Sequence, residues 1–85
     1  MQIVEIPPEK YFYVNDGTVI KNLGELPDAL RNMHPDTFAH HVNEEKNDFY
    51  SWIAGVFEHT SLARKVKSVK RKETMAKKVF TEIFS

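Results

Sequence analysis

The sequence predicts an α+β fold: an N-terminal β-hairpin packed on three short helices, followed by a long basic amphipathic C-terminal helix. Three observations lead there. Two β-branched and aromatic runs flank an Asp-Gly turn, the signature of a tight hairpin. Three segments then carry apolar residues at helical spacing between capping residues and prolines. The last third of the chain spaces its apolar positions at fours and threes while gathering most of the cations.

In the hairpin, Tyr11 to Val14 and Thr18 to Ile20 are the strands, and Asn15-Asp16-Gly17 turns between them. Side chains alternate across a strand, so Tyr11 and Tyr13 share one face while Phe12 and Val14 share the other. One face is expected in the core, which leaves the tyrosines as the more exposed aromatics. An isolated hairpin is marginal, so helices or a third strand, at Gln2 to Ile6, must support it.

From Asn22 the period becomes helical, with Leu23, Leu26, Leu30 and Met33 on one stripe and Asn22 and Glu25 placed as a capping pair. Pro27 lies too deep for a regular helix begun at Asn22, so either the first turn is distorted or the regular part begins near Leu26. Pro35 ends this helix by disfavouring helical geometry at His34. Asp36 is the expected cap of a second short helix through Phe38, His41 and Val42, and Asn47 or Asp48 that of a third. In the third, Phe49, Trp52, Ile53, Val56 and Phe57 form the strongest apolar stripe in the chain and place the centre of the core there.

Thr60 or Ser61 is expected to cap the last segment, where Leu62, Val66, Val69, Glu73, Ala76, Phe80 and Ile83 form a heptad seam with one polar interruption. One helix of about 24 residues, roughly 36 Å long, fits this pattern, as do two helices broken near Lys70 to Glu73. In a parallel homodimeric coiled coil the flanking Lys65, Lys70, Lys72 and Lys77 would face one another, which is destabilising. The seam is therefore expected to pack on an acidic body, its own or a neighbour's.

Length and composition bound the rest. The 85 residues correspond to a single domain, 1–85, with the hairpin and helical core in 11–62 and the basic amphipathic helix in 61–84. That is close to the size at which one core barely suffices. With 41% hydrophobic residues, few glycines and few prolines, the composition is that of an ordered chain. It has no cysteine, so neither a disulfide nor a thiolate zinc site can staple it, and stability must come from packing or self-association. MQIVEIPPEK lacks the basic start and apolar run of a signal peptide, and no stretch of about 18 apolar residues would span a membrane. The expectation is a soluble, cytoplasmic protein with no membrane partner.

The net charge is zero, yet it is divided. From Ala63 onward eight cations face two carboxylates, a net of +6, while residues 1–62 carry four cations and ten carboxylates, a net of −6. Such asymmetry calls for an anionic partner or for internal neutralisation.

The pieces from Phe12 to Ala63 form a recognisable pattern: an aromatic strand before Asp16-Gly17, Leu23 with Glu25-Leu26 and Ala29-Leu30, Phe38, His41-Val42, Asn47-Asp48-Phe49, Trp52-Ile53 and Leu62-Ala63. This resembles a small uncharacterised domain family of archaea and bacteria, a domain of unknown function. The resemblance implies a compact domain and assigns no catalytic residue. The segment after Val66 lies outside it.

Nothing in the chain forms a catalytic or metal-binding signature, and no enzyme activity, cofactor or metal is expected. His40 with Glu44 and His41 with Glu45 share helical spacing, but no third ligand accompanies them, and an inward, hydrogen-bonded His41 is the stronger expectation. Asn47 and Asp48 read as caps rather than as an acid or base. The serines lack a nucleophile elbow and the glycines do not form a phosphate loop. Trp52, Phe49 and Phe57 share a core stripe, which argues against base stacking. The remaining candidates are Lys67, Lys70, Arg71, Lys72, Lys77 and Lys78, enough for several phosphate contacts with little base discrimination. Sequence thus favours a non-enzymatic module that binds nucleic acid through these residues. The alternative is a protein-interaction or self-assembly module. In it the basic helix docks on an acidic surface of a partner or neighbouring chain, with Val66, Val69, Phe80 and Ile83 at the interface.

Overall fold

The computed structural model describes residues 3–84: a two-stranded antiparallel hairpin followed by five helices. After an extended N-terminal segment and a 3-10 turn at Pro8–Lys10 come β1 (Phe12–Tyr13) and β2 (Val19–Ile20). The helices are α1 (Leu26–Asn32), α2 (Pro35–His41), α3 (Asp48–Gly55), α4 (Thr60–Val66) and α5 (Lys72–Phe84). The sheet has two strands among the described residues; Ile3 to Ile6, expected as a third, form no strand, and Gln2 lies outside the described residues.

Phe12 pairs with Ile20 and Tyr13 with Val19. Gly17 closes the turn at φ +96°, Asp16 Oδ1 accepts from the Thr18 N–H at 2.9 Å, and Val14 N–H donates to the Thr18 carbonyl at 2.8 Å. Phe12, Val14 and Ile20 point into the core, whereas Tyr13 is 58% exposed. Helices substitute for a third strand: Phe12 stacks on Phe49 of α3 at a centroid distance of 4.6 Å and meets Trp52 edge-on, and Trp52 Nε1–H donates to the Lys10 carbonyl at 2.8 Å.

The entry to α1 combines both expectations. Asn22 Oδ1 accepts from the Glu25 N–H at 3.1 Å and Glu25 Oε1 accepts from the Lys21 N–H at 2.9 Å, a reciprocal capping arrangement on the turn that precedes the helix. The regular helix then begins at Leu26, with Pro27 in the first turn, where its missing N–H costs nothing.

Two caps differ from expectation, and both are histidines. His34 Nδ1 accepts from the Asp36 N–H at 3.0 Å and caps α2, so Pro35 both ends the path of α1 and opens α2. His59 Nδ1 accepts from the Leu62 N–H at 3.3 Å and caps α4, one residue before the expected Thr60. An imidazole with a lone pair on Nδ1 satisfies an orphan helix N–H as a hydroxyl does.

The C-terminal segment is two helices, not one. The chain leaves helical geometry between Lys67 and Arg71 without proline or glycine. Asn47 supplies one reason: its Oδ1 caps α3 by accepting from the Tyr50 N–H at 3.0 Å, and its Nδ2 donates to the terminal carbonyls of α4, Val66 at 3.0 Å and Lys67 at 3.2 Å. The break also changes the buried face. A continuous helix would carry Glu73 in its seam; after the break α5 buries Met75, Ala76, Val79 and Ile83 and leaves Glu73 and Phe80 in solvent. That face packs on α1, whose Leu26 and Leu30 are fully buried. The core therefore runs from the hairpin through α3 to the α1–α5 pair as one cluster. Among the described residues no helix is long and apolar enough to cross a membrane.

Candidate nucleic-acid interface

The six basic residues singled out in the sequence fall into three places. Lys77 and Lys78 lie on α5 one turn from Thr74 and Thr81, and these four, with Lys65 of α4, line an open groove of about 530 Å³. Lys70, Arg71 and Lys72 border a smaller hollow of about 200 Å³ against Phe38, Ala39 and Val42. Lys67 stands 5.6 Å over the Tyr50 ring at a third.

They also differ in what they already hold. Lys72 has a side chain only 11% exposed; its ammonium donates to the Arg31 carbonyl at 2.9 Å, at the C-terminal end of α1, and contacts Glu73 at 3.2 Å. A cation at a helix C-terminus satisfies an orphan carbonyl and meets the negative end of the helix dipole, so Lys72 belongs to the fold. Lys70 contacts Glu44 Oε1 at 3.5 Å and reaches the Asn43 carbonyl at 3.5 Å. Lys65, one lining residue that sequence did not single out, pairs with Glu82 at 2.7 Å. That hydrogen bond holds the Glu82 carboxyl below its ordinary value against the opposing effect of burial, with His59 adding to it. The Glu73 carboxyl is also lowered, chiefly by its own backbone N–H at the start of α5 and then by Lys72. Among the described residues Lys67, Arg71, Lys77 and Lys78 enter no salt bridge. The basic half is thus partly neutralised inside the chain, and the uncommitted charge of the groove is that of Lys77 and Lys78.

The four apolar residues of the alternative separate as well. Val66 and Ile83 are buried in this chain's own core and so are not presented to another chain, whereas Val69 is half-buried and Phe80 is 47% exposed. Phe84, which sequence did not single out, is 51% exposed, with its ring centroid 5.0 Å from that of Phe80. The polar interruption at Glu73 was the available signal for both: counting the period afresh from Lys72 selects Met75, Ala76, Val79 and Ile83 and turns both phenylalanines outward.

His41 is a structural residue. It is buried; its Nε2 accepts from the Asn15 N–H at 3.0 Å and its Nδ1 lies 3.0 Å from Asp48 Oδ2. The first bond needs a lone pair on Nε2, which places the ring proton on Nδ1, facing the carboxylate. The ring thereby ties the hairpin turn to the start of α3. Burial opposes charge on Asp48, but the hydrogen bonds from His41 and Lys46 prevail and hold its carboxyl below the usual range. Among the described residues no three His, Asp or Glu side chains converge as a metal-ligand set.

No family model, no curated protein and no solved structure matches this chain.

Proposed function

We propose that this protein is a non-enzymatic cytoplasmic module that binds nucleic acid through phosphate contacts, with weak sequence preference. The observation that carries this reading is the groove on α5, where Lys77 and Lys78, without a salt bridge among the described residues, stand with two threonines and with Lys65, which pairs with Glu82. Ammonium groups and hydroxyls together supply charge and donors to phosphate oxygens without reading base edges. Lys67 and Arg71 extend the cationic surface, while Lys70 and Lys72 contribute field from positions anchored to the body.

The test is binding of a labelled oligonucleotide by fluorescence anisotropy as salt is raised. Affinity should fall linearly on a log–log plot, with Lys77→Gln and Lys78→Gln each weakening binding and each lowering the slope by somewhat less than one unit. Lys72→Gln should instead lower the melting temperature. Absence of binding by the intact protein at low salt would overturn the proposal. The second reading, a protein-interaction or self-assembly module docking on an acidic surface of a neighbouring chain or partner, has the half-exposed Phe80 and Phe84 in its favour. Mass measurement in solution tests it.

A further inference from the structure

Phe80 and Phe84 stand on the same side of α5 as Lys77, at i+3 and i+7 from it, and Thr81 of the groove follows Lys77 by four. The two rings are tilted 40° to one another, about half of each residue is open to solvent, and neither belongs to the buried face of the helix. The guanidinium of Arg31, from α1, sits 5.5 Å over the Phe80 ring and is itself held by Asp28 at 3.2 Å. This side of α5 therefore offers two aromatic rings, a guanidinium over one of them and the Lys77 ammonium within a turn, with Lys78 further round the helix.

We infer that Phe80 and Phe84 form a stacking platform for bases, and that the nucleic acid bound at this groove is single-stranded. The inference rests on the phosphate-binding function proposed above and deepens it. Exposed rings next to a cationic groove suit a strand whose bases are unpaired, because every base has a π-face that an aromatic side chain can cover, whatever the sequence. A duplex hides those faces inside its stack and presents only phosphates and groove edges. Charge complementarity argues for this occupant over a second copy of the chain: the rings lie on the side of Lys77 and under Arg31, and a copy related by a two-fold axis would bring these cations against its own. The Arg31 guanidinium over Phe80 adds a cation to the platform, so that a base covering the exposed part of the rings would bring its phosphate near that charge.

The test compares a labelled single-stranded oligothymidine and oligouridine with a duplex of equal length, using the full chain. The single strands should bind more tightly than the duplex. Phe80→Ala and Phe84→Ala should each lower single-strand affinity about 5- to 150-fold while leaving the salt slope unchanged, and Phe80→Tyr should restore binding. Circular dichroism confirms that each variant is folded, as expected for half-exposed positions. If both alanine variants bind like the parent while Lys77→Gln and Lys78→Gln weaken binding, the platform is refuted and phosphate binding stands. If no oligonucleotide binds, both fall together. If the alanine variants leave affinity intact but convert a dimer to a monomer in solution, the face is a subunit interface, which also overturns the inference.

Discussion

Met75→Ala and Phe80→Ala form a pair whose relative cost decides between a broken and a continuous C-terminal helix. In an unbroken heptad seam Phe80 is a core residue, and its truncation would cost about 3 to 5 kcal/mol. In the structure Phe80 is 47% exposed and leaves no enclosed cavity when shortened. Full burial of a phenylalanine side chain is worth about 1.5 to 3 kcal/mol, so half-burial predicts a loss of about 1 kcal/mol. Met75 is fully buried. Its truncation removes a large apolar group from the contact of α5 with the core and should cost about 2 to 5 kcal/mol. For a domain of this length the whole stability is on the order of 4 to 13 kcal/mol, so Met75→Ala brings the protein close to its threshold. In a thermal melt followed by circular dichroism, where 1 kcal/mol corresponds to roughly 4 to 8 °C at this size, Met75→Ala should melt at least 8 °C below the parent and Phe80→Ala within about 8 °C of it. A larger loss for Phe80→Ala than for Met75→Ala would refute the break between Lys67 and Arg71.

Asn47→Ala should cost about 2 to 4 kcal/mol, because one side chain serves the start of α3 and the end of α4. Asn47→Asp, which keeps the cap oxygen and removes the amide donor, should lose only the α4 share; equal losses for the two variants in urea melts would contradict the double role. The depressed carboxyl of Asp48 means that its stabilising contribution is present above its ordinary value of 3.8 and is lost as pH falls through the lowered one. The melting temperatures of the parent and Asp48→Asn should therefore differ near neutral pH and converge below 3.8, and a gap that does not change with pH would refute the pairing. Deleting residues 63–85 should unfold the remainder, since it removes Ala63, Val66, Met75, Ala76, Val79 and Ile83 from a single core. Red-shifted Trp52 emission is the expected signal, and a folded fragment would show that α5 is an appendage.

The elements legible in the sequence were those whose signals are local. Asp16-Gly17 between aromatic and β-branched runs is a strong local hairpin signal, and Phe49, Trp52 and Ile53 at helical spacing define the buried face of α3. Pro27 pointed to a regular α1 that begins near Leu26, because a missing N–H is tolerated in a first turn, whereas Pro35, read only as the end of α1, also opens α2. Less legible was what depends on distant partners. The break before α5 carries no proline or glycine; it is held by Asn47, about twenty residues earlier, and by the gain from facing Met75 rather than Glu73 toward α1. Histidine caps at His34 and His59 are uncommon, and a nearby Asp36 or Thr60 satisfies the same pattern on paper. For the basic surface, sequence counted charges correctly but could not distinguish Lys72, spent on the Arg31 carbonyl, from Lys77 and Lys78.

The contact of α1 with α5 sets the order in which this chain can fold. The hairpin, and α3 with α4, join residues close in sequence and need only short loops to close, so they can assemble early. Leu26 and Leu30 are fully buried on α1, whose main packing partner, α5, begins some forty residues downstream. While the polypeptide emerges from a ribosome at about 5 to 20 residues per second, the face of α1 that meets α5 lacks that cover until α5 has been made. A nascent chain stalled before Lys72 should therefore be the species that chaperones and proteases capture, and completion of α5 should be the step that releases it.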